Sequence, residues 1–151
     1  MSDHGIILLV EDRPDDVLLI RKSFQRASIP NPIYVVRDGE EAIDYLSGMK
    51  AFANRHEFPL PDLVLLDIMM PKMDGFEVLD WIRHHPGLSG LPVVLLTSSA
   101  EPDDVQKAYG LRASSFIVKP NDFEDYVNLG RIIGNFWMRT AILPESFRTL
   151  G

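Results

Sequence analysis

A chain of 151 residues, 46% hydrophobic and 25% charged, has the make-up of one ordinary globular domain that can close around its own core without staples. It contains no cysteine, which excludes thiol catalysis, iron-sulfur clusters, Cys-based zinc sites and any dependence on disulfides. A formal charge of -7 leaves no surplus of lysine and arginine to neutralise nucleic-acid phosphates, so no nucleic-acid partner is expected.

Asp3 and His4 stand where a secretory leader would carry basic residues, and the aliphatic run Ile6 to Val10 is too short for the apolar part of one. No apolar run is long enough to span a bilayer, so a cytoplasmic protein without a membrane partner is expected. After that first run, Pro14 to Ala27 places Val17, Ile20, Phe24 and Ala27 on one helical stripe, with Pro14 near the first turn, where its missing N–H is harmless. Ile33 to Val36 is a second strand, Gly39 to Leu46 a second helix, and Gly48 to Pro61 a connection long enough to be an elaborated loop. Leu63 to Leu66, Val93 to Leu96 and Phe116 to Val118 supply three more strands. Phe76 to His84 and Asp103 to Tyr109 supply helices between them. The last helix is expected from about Phe123 to Met138, with Tyr126, Leu129, Ile133, Phe136 and Trp137 on or near one side.

Near-continuous aliphatic runs, as opposed to alternating ones, belong to strands covered on both faces. Strands alternating with helices therefore predict an α/β fold. It is a doubly wound, five-stranded parallel sheet of flavodoxin-like order 2-1-3-4-5 with helices on both faces, forming a single domain over 1–151. In that topology ligands collect beyond the carboxyl ends of the strands, near the switch point between the first and third. The sequence meets this demand. Glu11 and Asp12 follow the first strand, Asp67 follows the third, Thr97 closes the fourth, and Lys119 closes the fifth before Pro120. Any one of these has a plain alternative as a helix cap, a solvated loop acid or an ordinary strand residue. Together they put a residue suited to metal or phosphoryl chemistry at four of the five strand ends. Three carboxylates in one crevice repel one another unless a cation joins them, and Mg2+ commonly takes one or two protein carboxylates together with phosphate oxygens.

The segments Val10-Glu11-Asp12, Leu65-Leu66-Asp67-Ile68-Met69-Met70-Pro71, Asp74-Gly75, Leu96-Thr97-Ser98 and Val118-Lys119-Pro120 resemble the receiver domains of two-component response regulators over nearly the whole chain. The resemblance implies that Asp67 is the phosphoacceptor and that a histidine kinase is the donor. It implies that Asp12, Asp67 and the Met69 backbone carbonyl hold Mg2+, with Glu11 acting through metal-bound water. Thr97 and Lys119 would contact the phosphoryl group, and Met69 and Ser99 would tune the lifetime of the acyl phosphate. Phe116 falls where the family carries a switch aromatic, although on residue type alone it is equally a core Phe. Such a protein is not an enzyme with a separate substrate, since it catalyses only its own phosphorylation and dephosphorylation. The long loop before the third strand and the stretch Phe136 to Pro144 further resemble single-domain regulators that partner bacterial phytochrome histidine kinases, with an extension from about 139 to 151. The aromatic end of the last helix suits a homodimer through that helix and the tail. The alternative is that Trp137 caps the domain's own core.

Two rival classes share parts of this pattern. A haloacid-dehalogenase-like phosphatase needs a second Asp two residues after its nucleophile, where this chain has Met69, and a flavin carrier needs a phosphate-cradling loop where this chain has Glu11, Asp12 and Asp16. A phosphorylation-inactive receiver used for docking is a third alternative. His4, His56, His84 and His85 show no metal-ligand spacing, and Gly75 is expected to serve the backbone of the turn after Asp67.

Overall fold

The five aliphatic runs form the parallel sheet, in the order β2-β1-β3-β4-β5. The computed structural model describes residues 5–98 and 100–144, so the expectations attached to Asp3, His4, Ser99 and residues 145–151 lie outside the described residues. The strands are β1 (Ile7–Val10), β2 (Ile33–Val36), β3 (Leu63–Asp67), β4 (Val93–Thr97) and β5 (Ser115–Val118). The helices are α1 (Pro14–Arg26), α2 (Gly39–Ser47), α3 (Gly75–His84), α4 (Pro102–Gly110) and α5 (Phe123–Ile133).

Successive strand side chains point to opposite faces, and the core divides accordingly. Leu8, Val10, Val64, Leu66, Val93 and Leu95 pack with Ala42, Tyr45, Val78, Leu79 and Ile82 from α2 and α3, and with Ala108 from α4. Ile7, Leu9, Leu63, Leu65, Val94 and Leu96 pack with Ile20 and Phe24 from α1 and with Tyr126 and Ile133 from α5. Fully burying each such aliphatic side chain contributes about 1.5–3 kcal/mol, so a change of register by one residue would exchange the two faces at a prohibitive loss. Helix starts follow from local chemistry. Pro14 and Pro102 open α1 and α4, while the carboxylates of Asp38, Asp74 and Asp122 accept backbone N–H groups of Glu41, Glu77 and Asp125. At α3 the Glu77 side chain reaches back to Asp74 N–H, which completes a capping box.

The long connection after α2 is an ordered, packed element. It contains a 3₁₀ turn over Lys50–Phe52, and Phe52 and Phe58 stack edge-on at 5.1 Å while flanking buried Tyr45. The Arg55 guanidinium donates to the carbonyls of Tyr45, Leu46 and Phe58, so a charged side chain closes the carboxyl end of α2. Buried Arg83 does similar work under β4, donating to the carbonyls of Ser89, Leu91 and Arg112. The last helix departs from the expected single span to Met138. It is α-helical to Ile133 and continues in wider π-helical turns over Gly134–Thr140. Those turns bury Met138 and leave Trp137 packed on the α1/α5 side of the core, while Phe136 stays 50% exposed with its ring edge-on to Trp137. Trp137 thus caps the domain's own core, as the second of the two readings expected. Among the described residues no helix is long and apolar enough to cross a membrane.

Candidate functional site

Strand pairing continues for a residue past the ends of β1, β3 and β5 and holds the functional side chains at the carboxyl edge of the sheet. Glu11 N–H donates to the Val36 carbonyl at 3.0 Å, Ile68 N–H to the Leu96 carbonyl at 3.1 Å, and Lys119 N–H to the Thr97 carbonyl at 2.6 Å. By strand alternation Glu11 and Asp67 fall on the α1/α5 side of the sheet, where α1 begins. Glu11, Asp12 and Asp67 each offer a carboxylate oxygen lying within 4.8 Å of the others. The Lys119 ammonium enters from β5 and stands 2.7 Å from Glu11 Oε2, 2.8 Å from Asp16 Oδ2 and 3.5 Å from Asp67 Oδ2.

Four of the residues expected from sequence thus meet: Glu11, Asp12, Asp67 and Lys119. Thr97 is buried at the end of β4, one strand over from Asp67 and opposite Val118. Phe116 sits half-buried on β5 against the α2–α4 side of the core. The Met69 N–H lies 3.4 Å from Asp67 Oδ1, and its side chain, 69% exposed, projects away from the core. It joins Asp12, Pro71, Phe76 and Lys107 in lining a cavity of about 610 Å³ beside the acids, with the Lys107 ammonium 4.6 Å over the Phe76 ring. Sequence reasoning used Asp16 only as an argument against a flavin site and gave it no place beside Lys119. Asp16 stands in the first turn of α1, where an acid is common whatever it touches.

Burial dominates the electrostatics. It pushes the Glu11 carboxyl up to about 7, helped by the Asp67 charge and opposed by Lys119. Asp67 is likewise raised by burial, against the pull of Lys119. Burial works against the Lys119 charge, but the carboxylates of Asp16 and Glu11 outweigh it and raise its pKa above that of an ordinary lysine. The donor set fits a hard divalent cation. Asp12 Oδ1 is buried with no hydrogen-bond partner among the described residues, a condition that costs more for a charged oxygen than for a neutral one and that a coordinated ion would relieve. Cation and proton then compete for the same carboxylates. Divalent-cation affinity is expected to weaken as pH falls through about 7, by up to roughly tenfold per pH unit for each proton displaced. Titration calorimetry at pH 6 and pH 8 checks this, and equal affinities would contradict it.

Gly75 closes the site from below. A Cβ there would lie 2.5 Å from the Asp67 carbonyl oxygen and 2.8 Å from Ile68 Cα. Its φ is not among the positive values, so space, not a special dihedral, is what the turn asks of it.

A parallel five-stranded sheet in the order 2-1-3-4-5, carrying an acidic crevice and one lysine at its carboxyl edge, defines a receiver module. The chain belongs to the response regulator receiver domain family, whose sequence profile matches residues 7–129, and it is a receiver-domain response regulator of the two-component type. It is 36% identical over 150 residues to Response regulator Rcp1 of Synechocystis, covering 97% of this chain and 100% of that protein. The phosphorylated cyanobacterial phytochrome response regulator RcpA superposes with a TM-score of 0.86 at 38% identity, covering 94% of this chain and 99% of that one. The Mn2+-bound form of Rcp1 superposes with a TM-score of 0.83 at 35% identity, covering 93% of this chain and 99% of that one.

Proposed function

We propose that Asp67 accepts a phosphoryl group from the phosphohistidine of a histidine kinase. Mg2+ is held by Asp12, Asp67 and the Met69 carbonyl, and Glu11 acts through metal-bound water. The observation that carries this reading is the meeting of Glu11, Asp12 and Asp67 within 4.8 Å, with Lys119 3.5 Å from Asp67. Asp67 is the member of the trio that closes a strand, and as a carboxylate it needs no general base. Its carboxylate oxygen forms the new O–P bond as the P–N bond of phosphohistidine breaks, the electron pair leaving with the imidazole, which takes up a proton. Mg2+, when bound, neutralises charge on the phosphoryl oxygens. Lys119 neutralises another of those oxygens, and the Thr97 hydroxyl donates to a third. Thr97 moving toward the group frees space for Phe116 to turn inward, which changes the α4–β5–α5 surface. The equilibrium shifts only by the difference in phosphoryl contacts between the two states.

The likeness to the phytochrome response regulator RcpA supports a phytochrome-type kinase as partner; the protein acts in the cytoplasm, with one receiver spanning the chain and an extension from about residue 139. Exposed Ile132 and Phe136 on the last helix support a homodimer through that helix and the tail. The protein turns over no separate substrate. Incubation with acetyl phosphate and Mg2+ followed by intact mass tests the central reading. One added phosphoryl group on the wild type and none on Asp67→Asn is the expected result, and phosphorylation of both would reject it.

The exposed Met69 side chain lies on the water side of Asp67 and cannot orient water by a strong hydrogen bond. Met69→Asn is expected to shorten the lifetime of the phosphorylated state severalfold while leaving stability unchanged. A dephosphorylation time course in EDTA-quenched samples reads it, and an equal or longer lifetime would count against this role.

A further inference from the structure

The Lys119 ammonium has three protons to give and is held unevenly. Two go to carboxylates at hydrogen-bond distance, Glu11 Oε2 at 2.7 Å and Asp16 Oδ2 at 2.8 Å. The third direction faces Asp67 Oδ2 from 3.5 Å, beyond hydrogen-bond range for a charge-assisted pair. Left to itself, a flexible lysine beside a buried carboxylate would close that gap, because a contact pair in a low-dielectric crevice is stronger than a separated one. Asp16 prevents this. It projects from the first turn of α1, its side chain 15% exposed, and holds the Lys119 ammonium at 2.8 Å. Its other charged neighbour, Arg13, is 3.9 Å away and mostly solvated, too weak a partner to draw it off.

We propose that Asp16 is a positioning residue for phosphoryl transfer: with Glu11 it tethers the Lys119 ammonium where a phosphoryl oxygen on Asp67, not the bare carboxylate, completes its third hydrogen bond. This rests on the reading of Asp67 as acceptor. A phosphoryl oxygen stands further out than the carboxylate oxygen that bears the phosphorus, so Lys119 meets the transferring group from where Glu11 and Asp16 hold it, without giving up either tether. The interaction is made with the transition state and product and withheld from the resting nucleophile, which is the condition for an interaction to speed the chemical step. Without Asp16 the ammonium relaxes onto Asp67, which pairs the nucleophile and removes the cation from its place.

Phosphorylation by saturating acetyl phosphate with Mg2+, followed to completion by intact mass, tests this in wild type, Asp16→Ala, Asp16→Asn, Lys119→Met and Asp16→Ala/Lys119→Met. Asp16→Ala is expected to slow phosphorylation by about tenfold, and Asp16→Asn, which keeps an oxygen at the same reach, by about threefold. In the Lys119→Met background Asp16→Ala is expected to change the rate by less than about twofold, because a residue acting through Lys119 has nothing left to act on. A merely structural role would give the same fold-loss in both backgrounds and would overturn the proposal. So would an Asp16→Ala rate within about twofold of wild type. If Asp16→Ala melts early, Asp16→Asn carries the comparison, and a wild-type rate in it has the same overturning force. A wild type that gains no phosphoryl group, or gains it equally in Asp67→Asn, overturns the acceptor reading and this proposal with it. A phosphorylated wild type insensitive to Asp16 overturns this proposal alone.

Discussion

Replacing Asp67 by asparagine is expected to abolish phosphoryl uptake and, in EDTA, to make the protein more stable than wild type. Asp67 is 2% exposed and shares its crevice with Glu11, Asp12 and Asp16, against the single ammonium of Lys119. Burial raises the carboxyls of both Asp67 and Glu11, which means that the folded state disfavours their ionised forms. Asparagine keeps the shape, removes one repelling charge and offers N–H groups to the oxygens around it. A gain of about 1–2 kcal/mol is expected, or roughly 2–8 °C in melting temperature for a domain of this size. The pH dependence follows in sign. A carboxyl whose pKa is raised on folding binds more protons in the native than in the unfolded state. Metal-free stability therefore falls as pH rises from the ordinary carboxylate range to about 7, the Glu11 value. Asp67→Asn flattens that slope by removing one of the coupled acids. Mg2+ should reverse the ranking, because the wild type has the fuller ligand set and gains more from the ion. Melting curves in EDTA and in Mg2+, from pH 5 to pH 8, decide the matter. An asparagine variant less stable than wild type in EDTA would remove repulsion as the governing force.

The same crowding explains what could be read from the chain in advance. Aliphatic runs ending in Asp, Thr and Lys needed only the parallel topology to bring Glu11, Asp67, Thr97 and Lys119 to one edge, since right-handed crossovers leave few other arrangements. The caps at Asp38, Asp74 and Asp122 emerge only in the structure, because Asp is common before helices and in turns alike. Asp16 was not legible as a site residue because an acid in the first turns of a helix is favoured by the helix dipole whatever it touches. Only coordinates show that its partner is a lysine 103 positions away. Arg55 and Arg83 were hidden for a related reason. Their partners are backbone carbonyls, which every residue type supplies alike, so no pattern of side chains marks them. At the start of the wider turns over Gly134–Thr140 the backbone comes close to Ile29, whose Cδ1 a Cβ on Gly134 would strike. Helical periodicity in Phe136 and Trp137 could not report that approach.

Gly75→Ala is the substitution expected to damage fold and site together. Its added Cβ would lie 2.5 Å from the Asp67 carbonyl oxygen, 2.8 Å from Ile68 Cα and 3.1 Å from the Asp67 carbonyl carbon, all backbone atoms of the strand end that carries the acceptor. No rotamer change can relieve contacts with backbone. Either α3 must retreat, loosening Phe76, Val78 and Leu79 from the core, or Asp67 must move. Overpacking of this kind costs about 2–3 kcal/mol. A shift of the nucleophile by even a fraction of an ångström also misaligns it with Lys119 and the metal-binding oxygens, so phosphorylation by acetyl phosphate should slow by about tenfold or more. Gly90→Ala is the matched control: nothing lies within 4 Å of its Cβ position, and both stability and phosphorylation should stay at wild-type values. Urea melts and intact-mass time courses on the two variants separate the effects. Were Gly75→Ala to melt and phosphorylate like Gly90→Ala, the close approach of α3 to the acceptor would have no mechanical role, and the placement of Asp67 would have to come from β3 pairing alone.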